Sequence, residues 1–316
     1  MSPATLFRVP ARSDRTGGLA QKFHRLLATA GLPDLVKKGD LVAVKMHFGE
    51  PGNLRYIRPI FPVLLVDFLK ELKARPFVTD TAVLYRSERH HAWGYYQVAR
   101  RNGFTAEVLG CPLLIAGGMG DRSIPVAVPN AMRLSEIGVA PEIYDADVLI
   151  SLAHATLHMF YPIGATLKNV GMGCVDIPTK MAMHDAPGRK PRHLALQEAT
   201  CDAVSAVLSK FQNKFLGINL LLDITPDCDC FDKTDLPIVP DLGILAGTDP
   251  VALDRASHDL IQAAPGYPGS KLEGTAGMLP GNNKIEPIHS KINAEDYFKI
   301  TELSGIGAIQ YRIIDI

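Results

Sequence analysis

The sequence predicts an α/β fold, mostly parallel sheets flanked by helices, built as one or two intimately joined lobes. Three observations lead there. Short apolar runs alternate with stretches of helical period, the order that joins parallel strands through helical crossovers. Several of those runs start apolar and end polar, as strands do when they deliver side chains to one edge of an open sheet. The 316 residues are 47% hydrophobic and 21% charged, enough apolar content to bury a sizeable core. A first lobe is expected over 1–140 and a second, carrying most of the reactive side chains, over 141–316.

QKFHRLLATAGLPDLVKK (21–38) has helical spacing after a polar start, and GDLVAVKMHFGE (39–50) reads as a strand running into polar residues. PIFPVLLVDFLKELKA (59–74) is an amphipathic helix with proline in its first turn, where the missing N–H costs least. PFVTDT (76–81) is a second strand. HHAWGYYQVARRNG (90–103) is a helix closed by Gly103, and TAEVLG (105–110) is a third strand. DRSIPVAVPNAMRL (121–134) reads as an edge hairpin or insertion, and ADVLISLAH (146–154) as another buried strand. KPRHLALQEATCDAVSAVLSKF (190–211) is the longest helical pattern, and GINLLLDITPDCDC (217–230) is a near-continuous apolar strand with a polar end. In LGILAGTDPVALDRASHDLIQAA (242–264) a strand leads to a helix opened by Asp249-Pro250. From about Pro265 onward glycine and proline thicken and no element is assigned.

Lysine plus arginine equals aspartate plus glutamate, at 33 each, so no overall field draws the chain to nucleic acid or anionic lipid. The opening residues hold no apolar secretion core, and no run reaches the ~18 apolar residues of a membrane span. A cytoplasmic protein is expected. Five cysteines then argue for thiols or metal ligands over a disulfide framework. Cys111 and Cys201, in apolar or helical surroundings, read as core.

The strand ends carry the chemistry. Lys45 and His47 alternate onto one strand face before a glycine-containing turn and Arg58-Pro59, an arrangement suited to an anion-binding mouth. Solvated loop charge is the other reading. Asp80 closes the next strand and is a candidate proton-transfer group. Between 149 and 184, His154, His158, Lys168, Asn169, Cys174 and His184 fall in one segment whose period fits neither helix nor strand. Its Gly171 and Gly173 bring the backbone close to another chain segment or a bound group. Cys228 and Cys230, in TPDCDC, follow a buried strand. Alone they are a weak signal; with Cys174 and a histidine they compose a ligand set for zinc or an iron–sulfur centre. The other reading is unliganded thiols beside Asp227 and Asp229, whose charges would raise the thiol pKa.

VAVKMHFGEPGN, YIRP, FVTDT, LKNVGMGC, MAMH, DITPDCDC and PIVPDLGILAGTDPVALD together resemble the family called domain of unknown function 362, over about residues 40–270. Many members of that family carry a bacterial-ferredoxin module of C-x-x-C-x-x-C runs just before the DITPDCDC strand. This chain has SKFQNKFLGIN there, so ferredoxin-type electron transfer is not implied. The same region resembles, more distantly, the nickel-pincer lactate racemases. In that family a histidine, a lysine ten residues on and a histidine sixteen beyond it serve as acid/base, covalent cofactor anchor and nickel ligand. His158, Lys168 and His184 have those spacings. Arg58-Pro59 is similar to the arginine-proline that holds the racemase's substrate carboxylate. The racemases' second acid/base histidine has no counterpart, since Asp80 and Thr81 stand near its place. Racemisation needs groups on opposite faces of the carbon, so the resemblance implies a shared pocket without lactate racemase activity.

The expectation is a metal- or iron–sulfur-binding α/β protein, with iron, zinc or nickel held by some of Cys174, His184, Cys228 and Cys230. An anion pocket of Lys45, His47, Arg58 and Asn169 would lie beside it. His158, Lys168 and Asp80 would then act on a small carboxylate or phosphate by redox or proton-transfer chemistry. The alternative is a non-catalytic module carrying metal or cofactor for a separate redox protein.

Overall fold

The run VLISLAH (Val148–His154) is buried at every position, as a strand is when helices cover both faces of its sheet. The computed structural model describes residues 3–185 and 191–316; position 190, counted in the predicted long helix, lies outside them. The strands are β1 (Ala4–Pro10), β2 (Leu41–Lys45), β3 (Arg75–Thr81), β4 (Leu113–Ala116), β5 (Ile124–Ala127), β6 (Glu136–Val139), β7 (Val148–His154), β8 (Phe215–Leu221), β9 (Gly243–Gly247) and β10 (Tyr311–Asp315). Eight of them form one sheet in the order β10-β1-β9-β8-β7-β2-β3-β4, and β5 with β6 forms a separate antiparallel hairpin. From β8 to β4 every neighbour is parallel. β9 runs antiparallel to both β8 and β1, and β1 pairs β10 in parallel. The fold is therefore α/β and mostly parallel. The sheet runs across residue 140, with β2, β3 and β4 before it and β7, β8 and β9 after it.

Strand alternation sorts side chains onto two cores. Val42 and Val44 face one side, where they pack with the helices Leu19–Thr29, Ile60–Glu71 and Ala92–Arg101. Ala43 and Leu149 face the other, with Thr166–Gly173, Arg192–Lys210 and Pro250–Ala263. The last of these opens as its sequence predicts: the Asp249 side chain accepts from the Val251 and Ala252 N–H groups. From β2 the chain moves outward through β3 to β4, and from β7 it moves the opposite way to β8. The β2/β7 junction is thus the switch point at which an open α/β sheet leaves a crevice beyond its carboxyl ends.

The third predicted strand is displaced. TAEVLG forms a short helix, Ala106–Leu109, because the Thr105 hydroxyl accepts from the Val108 N–H and Gly110 ends the turn at φ 66°; β4 is the next run. The sequence predicts neither β1 nor β10 as a strand: β10 lies at the sheet edge, and both are mostly half-buried or exposed, so neither offers an apolar run to read. No helix among the described residues is long and apolar enough to cross a membrane.

Candidate functional site

The switch point opens into a cavity of about 800 Å³ lined from the ends of β2, β3 and β7 and from residues 228–232 in the loop after β8. Its inner walls hold cations and carboxylates that pair off. Lys45 Nζ lies 3.1 Å from Asp80 Oδ1, His154 Nδ1 lies 2.7 Å from Asp229 Oδ1, and the buried Arg89 guanidinium grips Glu50 through Nε at 2.7 Å. Exposed Arg86, Glu88 and Asp232 stand at the mouth. Two inner cations are left over. Lys168 and Lys180 have no carboxylate partner among the described residues; the first approaches the sulfurs of Cys228 and Cys230 at 3.5 and 3.9 Å, and the second bonds Thr81 Oγ1 and the Ala82 carbonyl. Burial pushes both ammoniums down to about 8.

The sequence-predicted anion holders Lys45 and Asn169 are spent on each other. Lys45 Nζ donates to Asn169 Oδ1 at 2.6 Å, while Asn169 Nδ2 donates to the Lys45 carbonyl and Ser151 Oγ. Gly173 explains how a lysine fits there: a Cβ at that position would run into Lys45 Cε and Nζ. A Cβ at Gly171 would meet Thr200, so both glycines of KNVGMGC admit neighbouring chain. Asp80 is also fully engaged, accepting from Lys45, from the Thr81 N–H and from the Tyr95 hydroxyl. Arg58 lies outside the cavity, its guanidinium paired with Asp223. His47 meets Arg89 Nη1 at 2.6 Å through Nε2, and burial with that guanidinium holds the ring well below its ordinary value. It brings no positive charge to an anion. These groups brace the cavity.

The three other cavity histidines differ in where their partners leave the proton. His154 donates from both nitrogens, to Asp229 and to the Leu222 carbonyl at 2.6 Å; burial opposes its charge, yet Asp229 prevails and holds the ring above its ordinary value. It is a structural imidazolium. His158 accepts the Phe160 N–H on Nδ1 at 3.0 Å, and burial keeps it neutral, so Nε2 carries the hydrogen. His184 is the reverse: Nδ1 faces the Lys180 carbonyl at 2.7 Å and must donate, which leaves the Nε2 lone pair without a described partner. Thr156 is 1% exposed, lines the same cavity, and its hydroxyl has no hydrogen-bond partner among the described residues. An orphaned buried hydroxyl at a cavity wall calls for an explanation.

The sulfurs do not gather as expected. Cys174 is fully buried beside Lys45, Asp80 and Lys180, and burial pushes its thiol up to about 12. Among the described residues, the donors that lie within 4.8 Å of one another are those of His158, Cys228 and Cys230, without Cys174 or His184. That triad could hold a metal by composition, but a metal does not fit the state described. The two sulfurs are bonded to each other, and His158 has its Nδ1 lone pair occupied and Nε2 protonated. Asp227 and Asp229 are neutralised by Lys271 at 3.0 Å and by His154, so Lys168 is the charge that faces the sulfurs.

Sequence reasoning missed Arg89, Lys180 and Thr156. Lys180 lies four residues before His184 on the helix Ile177–Asp185, a same-face spacing that could have been read. Arg89, in a short 3₁₀ turn after β3, leaves no periodic trace.

No curated protein matches the chain. Among solved structures it is similar to a protein from Thermotoga maritima determined by a structural genomics consortium, at 15% identity and TM-score 0.43. That match covers 64% of this chain and 50% of the other, so the chain spans half that protein's length. It is also similar to the lactate racemase apoprotein from Thermoanaerobacterium thermosaccharolyticum, at 13% identity and TM-score 0.50, covering 99% of this chain and 83% of that one. The second likeness concerns the fold over essentially the whole chain. The model of the family described as domain of unknown function (DUF362) matches residues 42–259, and the chain belongs to that family.

Proposed function

We propose that this protein is an enzyme that binds a small carboxylate or phosphate on Lys168 and Lys180 and transfers a proton on it. The observation that carries the reading is the opposed protonation of His158 and His184 in a cavity with two lysines left unneutralised. An anion entering this space meets ammonium groups at no charge-pairing cost to the protein, because every other inner cation already has its carboxylate. The Thr156 hydroxyl gains the partner it lacks. His158 Nε2–H then donates a hydrogen bond to the oxygen on which negative charge develops and His184 Nε2 receives the proton, a neutral electrophile and a base that start in the correct forms at neutral pH. Met172, Phe160 and Leu196 give the cavity apolar wall, which strengthens both interactions by excluding water. Lys45, Asp80 and Asn169 hold the helix Thr166–Gly173, and with it Lys168, against β2.

Deuterium incorporation from heavy water tests this reading. Small 2-hydroxy acids, 2-oxo acids and their phosphate esters are followed by proton NMR for loss of the hydrogen beside the anionic group. Expected is exchange with at least one of them, abolished in His158→Gln and in His184→Gln, with anion affinity retained in both. Exchange that survives both substitutions, or no exchange with any acid, refutes it.

A further inference from the structure

We propose that Cys228 and Cys230 form a thiol–disulfide couple that switches metal binding in the cavity on and off. The proposal rests on the reading of this cavity as the working site, and it starts from a mismatch. The triad His158, Cys228 and Cys230 has the donor chemistry and proximity for a soft divalent ion, yet with its sulfurs joined it offers no thiolate. Reduction removes the obstacle at the sulfurs, and His158 joins them when its hydrogen moves from Nε2 to Nδ1, which gives up the bond from the Phe160 N–H. An external dithiol gives up two electrons and two protons and leaves as its own disulfide; the Cys228–Cys230 bond breaks and each sulfur gains a hydrogen. A divalent cation then displaces those two protons to solvent and takes both thiolates.

The loop is built to stay in place through this change. Its backbone and carboxylates are tied down by contacts that use neither sulfur. His154 holds Asp229, and Lys271 holds Asp227. The His289 ring donates to the Pro226 carbonyl at 2.7 Å, and Thr225 Oγ1 donates to the Asp227 carbonyl at 2.6 Å. The Phe231 N–H returns to the Cys228 carbonyl at 3.0 Å, and the Tyr85 hydroxyl donates to the Cys230 carbonyl at 3.3 Å. Opening the sulfur–sulfur bond therefore leaves both side chains facing the cavity, near His158. Lys168, at 3.5 and 3.9 Å from the two sulfurs, faces them in either state and favours thiolate over thiol once the bond is open. Cys111, Cys174 and Cys201 are buried and lie outside the triad, so the switch is confined to one pair.

The test compares the same full-length protein in two redox states. One sample is reduced with a phosphine and freed of reductant under argon; the other is oxidised with diamide; each is titrated with Co²⁺ and followed by sulfur-to-cobalt charge-transfer absorption. Expected is stoichiometric binding by the reduced protein, none by the oxidised one, and none by Cys228→Ser in either state. Alkylation and peptide mass mapping should find Cys228 and Cys230 linked only in the oxidised sample. Equal Co²⁺ binding in both states, no binding in either, or a pair that stays unlinked under diamide overturns the proposal. Inorganic phosphate affinity, measured on the same samples, reports separately on the anion site: its loss with the metal response intact would refute the proposed function and leave the switch standing.

Discussion

One added methyl group should unseat the cavity's internal brace. Gly173 ends the helix Thr166–Gly173, and a Cβ there would collide with Lys45 Cε and Nζ. Two effects oppose each other in Gly173→Ala. Replacing a helical glycine by alanine stabilises by at most about 1 kcal/mol. Displacing Lys45 breaks its contacts to Asp80 at 3.1 Å and to Asn169 at 2.6 Å, and losing one partner of a buried ion pair costs roughly 3–5 kcal/mol. The second term wins, for a net destabilisation of about 2–4 kcal/mol. Urea unfolding measures it, and a double-mutant cycle with Lys45→Ala isolates the cause. Once Lys45 is truncated the methyl group still meets Asp80 Oδ1 at 3.1 Å but no longer overlaps a side chain, so Gly173→Ala in that background should lie within about 1 kcal/mol of neutral. A substitution that is harmless alone, or equally damaging in both backgrounds, would refute the idea that Gly173 exists to admit Lys45.

Other consequences can be measured alongside. Asp254, fully buried, accepts from the Thr166 and Leu167 N–H groups and from Asn219 Nδ2, each at 2.9 Å; Asp254→Ala orphans these donors and should cost about 3–6 kcal/mol by urea unfolding, whereas a loss below about 1 kcal/mol would remove its role as a cap supplied from a neighbouring helix. Thr156→Val deletes a buried hydroxyl that has no partner, so the ligand-free protein should hold or gain stability, by up to about 1–3 kcal/mol, while phosphate affinity falls; a loss of stability would show that the hydroxyl is satisfied without ligand. Phosphate affinity should decline as pH rises through about 8, where Lys168 and Lys180 lose their protons. The sign for stability is the opposite: the folded form holds fewer protons than the unfolded chain between about 8 and 10.5, so ligand-free stability should rise over that window. Affinity flat to pH 10 would place both ammoniums at their ordinary value.

Much of the architecture was legible because buried parallel strands announce themselves as apolar runs, and β2, β3 and β7 end in polar residues that reach the cavity, as does the loop that follows β8. TAEVLG was misread since four residues of mixed propensity are decided by the Thr105 cap and Gly110, not by composition. The site was legible in outline and not in its assignments. His158, Lys168, His184, Cys228 and Cys230 do line one cavity, but sequence spacing carries no information on who pairs with whom. Lys45 and Asn169 looked like ligand holders until their mutual hydrogen bonds were seen. Arg58 looked like an anion clamp until Asp223, 165 positions away, was found to occupy it. Asp227 and Asp229 seemed to flood the sulfurs with negative charge, yet both are neutralised by partners distant in sequence.

The most direct measurement is calorimetric titration of inorganic phosphate and of a simple carboxylate such as oxalate into the protein near neutral pH. If Lys168 and Lys180 hold the anion, Lys168→Met and Lys180→Met should each weaken binding about 10- to 100-fold, the worth of one hydrogen bond to a charged group, while the exposed Lys37→Met leaves it unchanged. Binding that is indifferent to both cavity lysines, or absent from the wild-type protein, would contradict an anion site at the switch point.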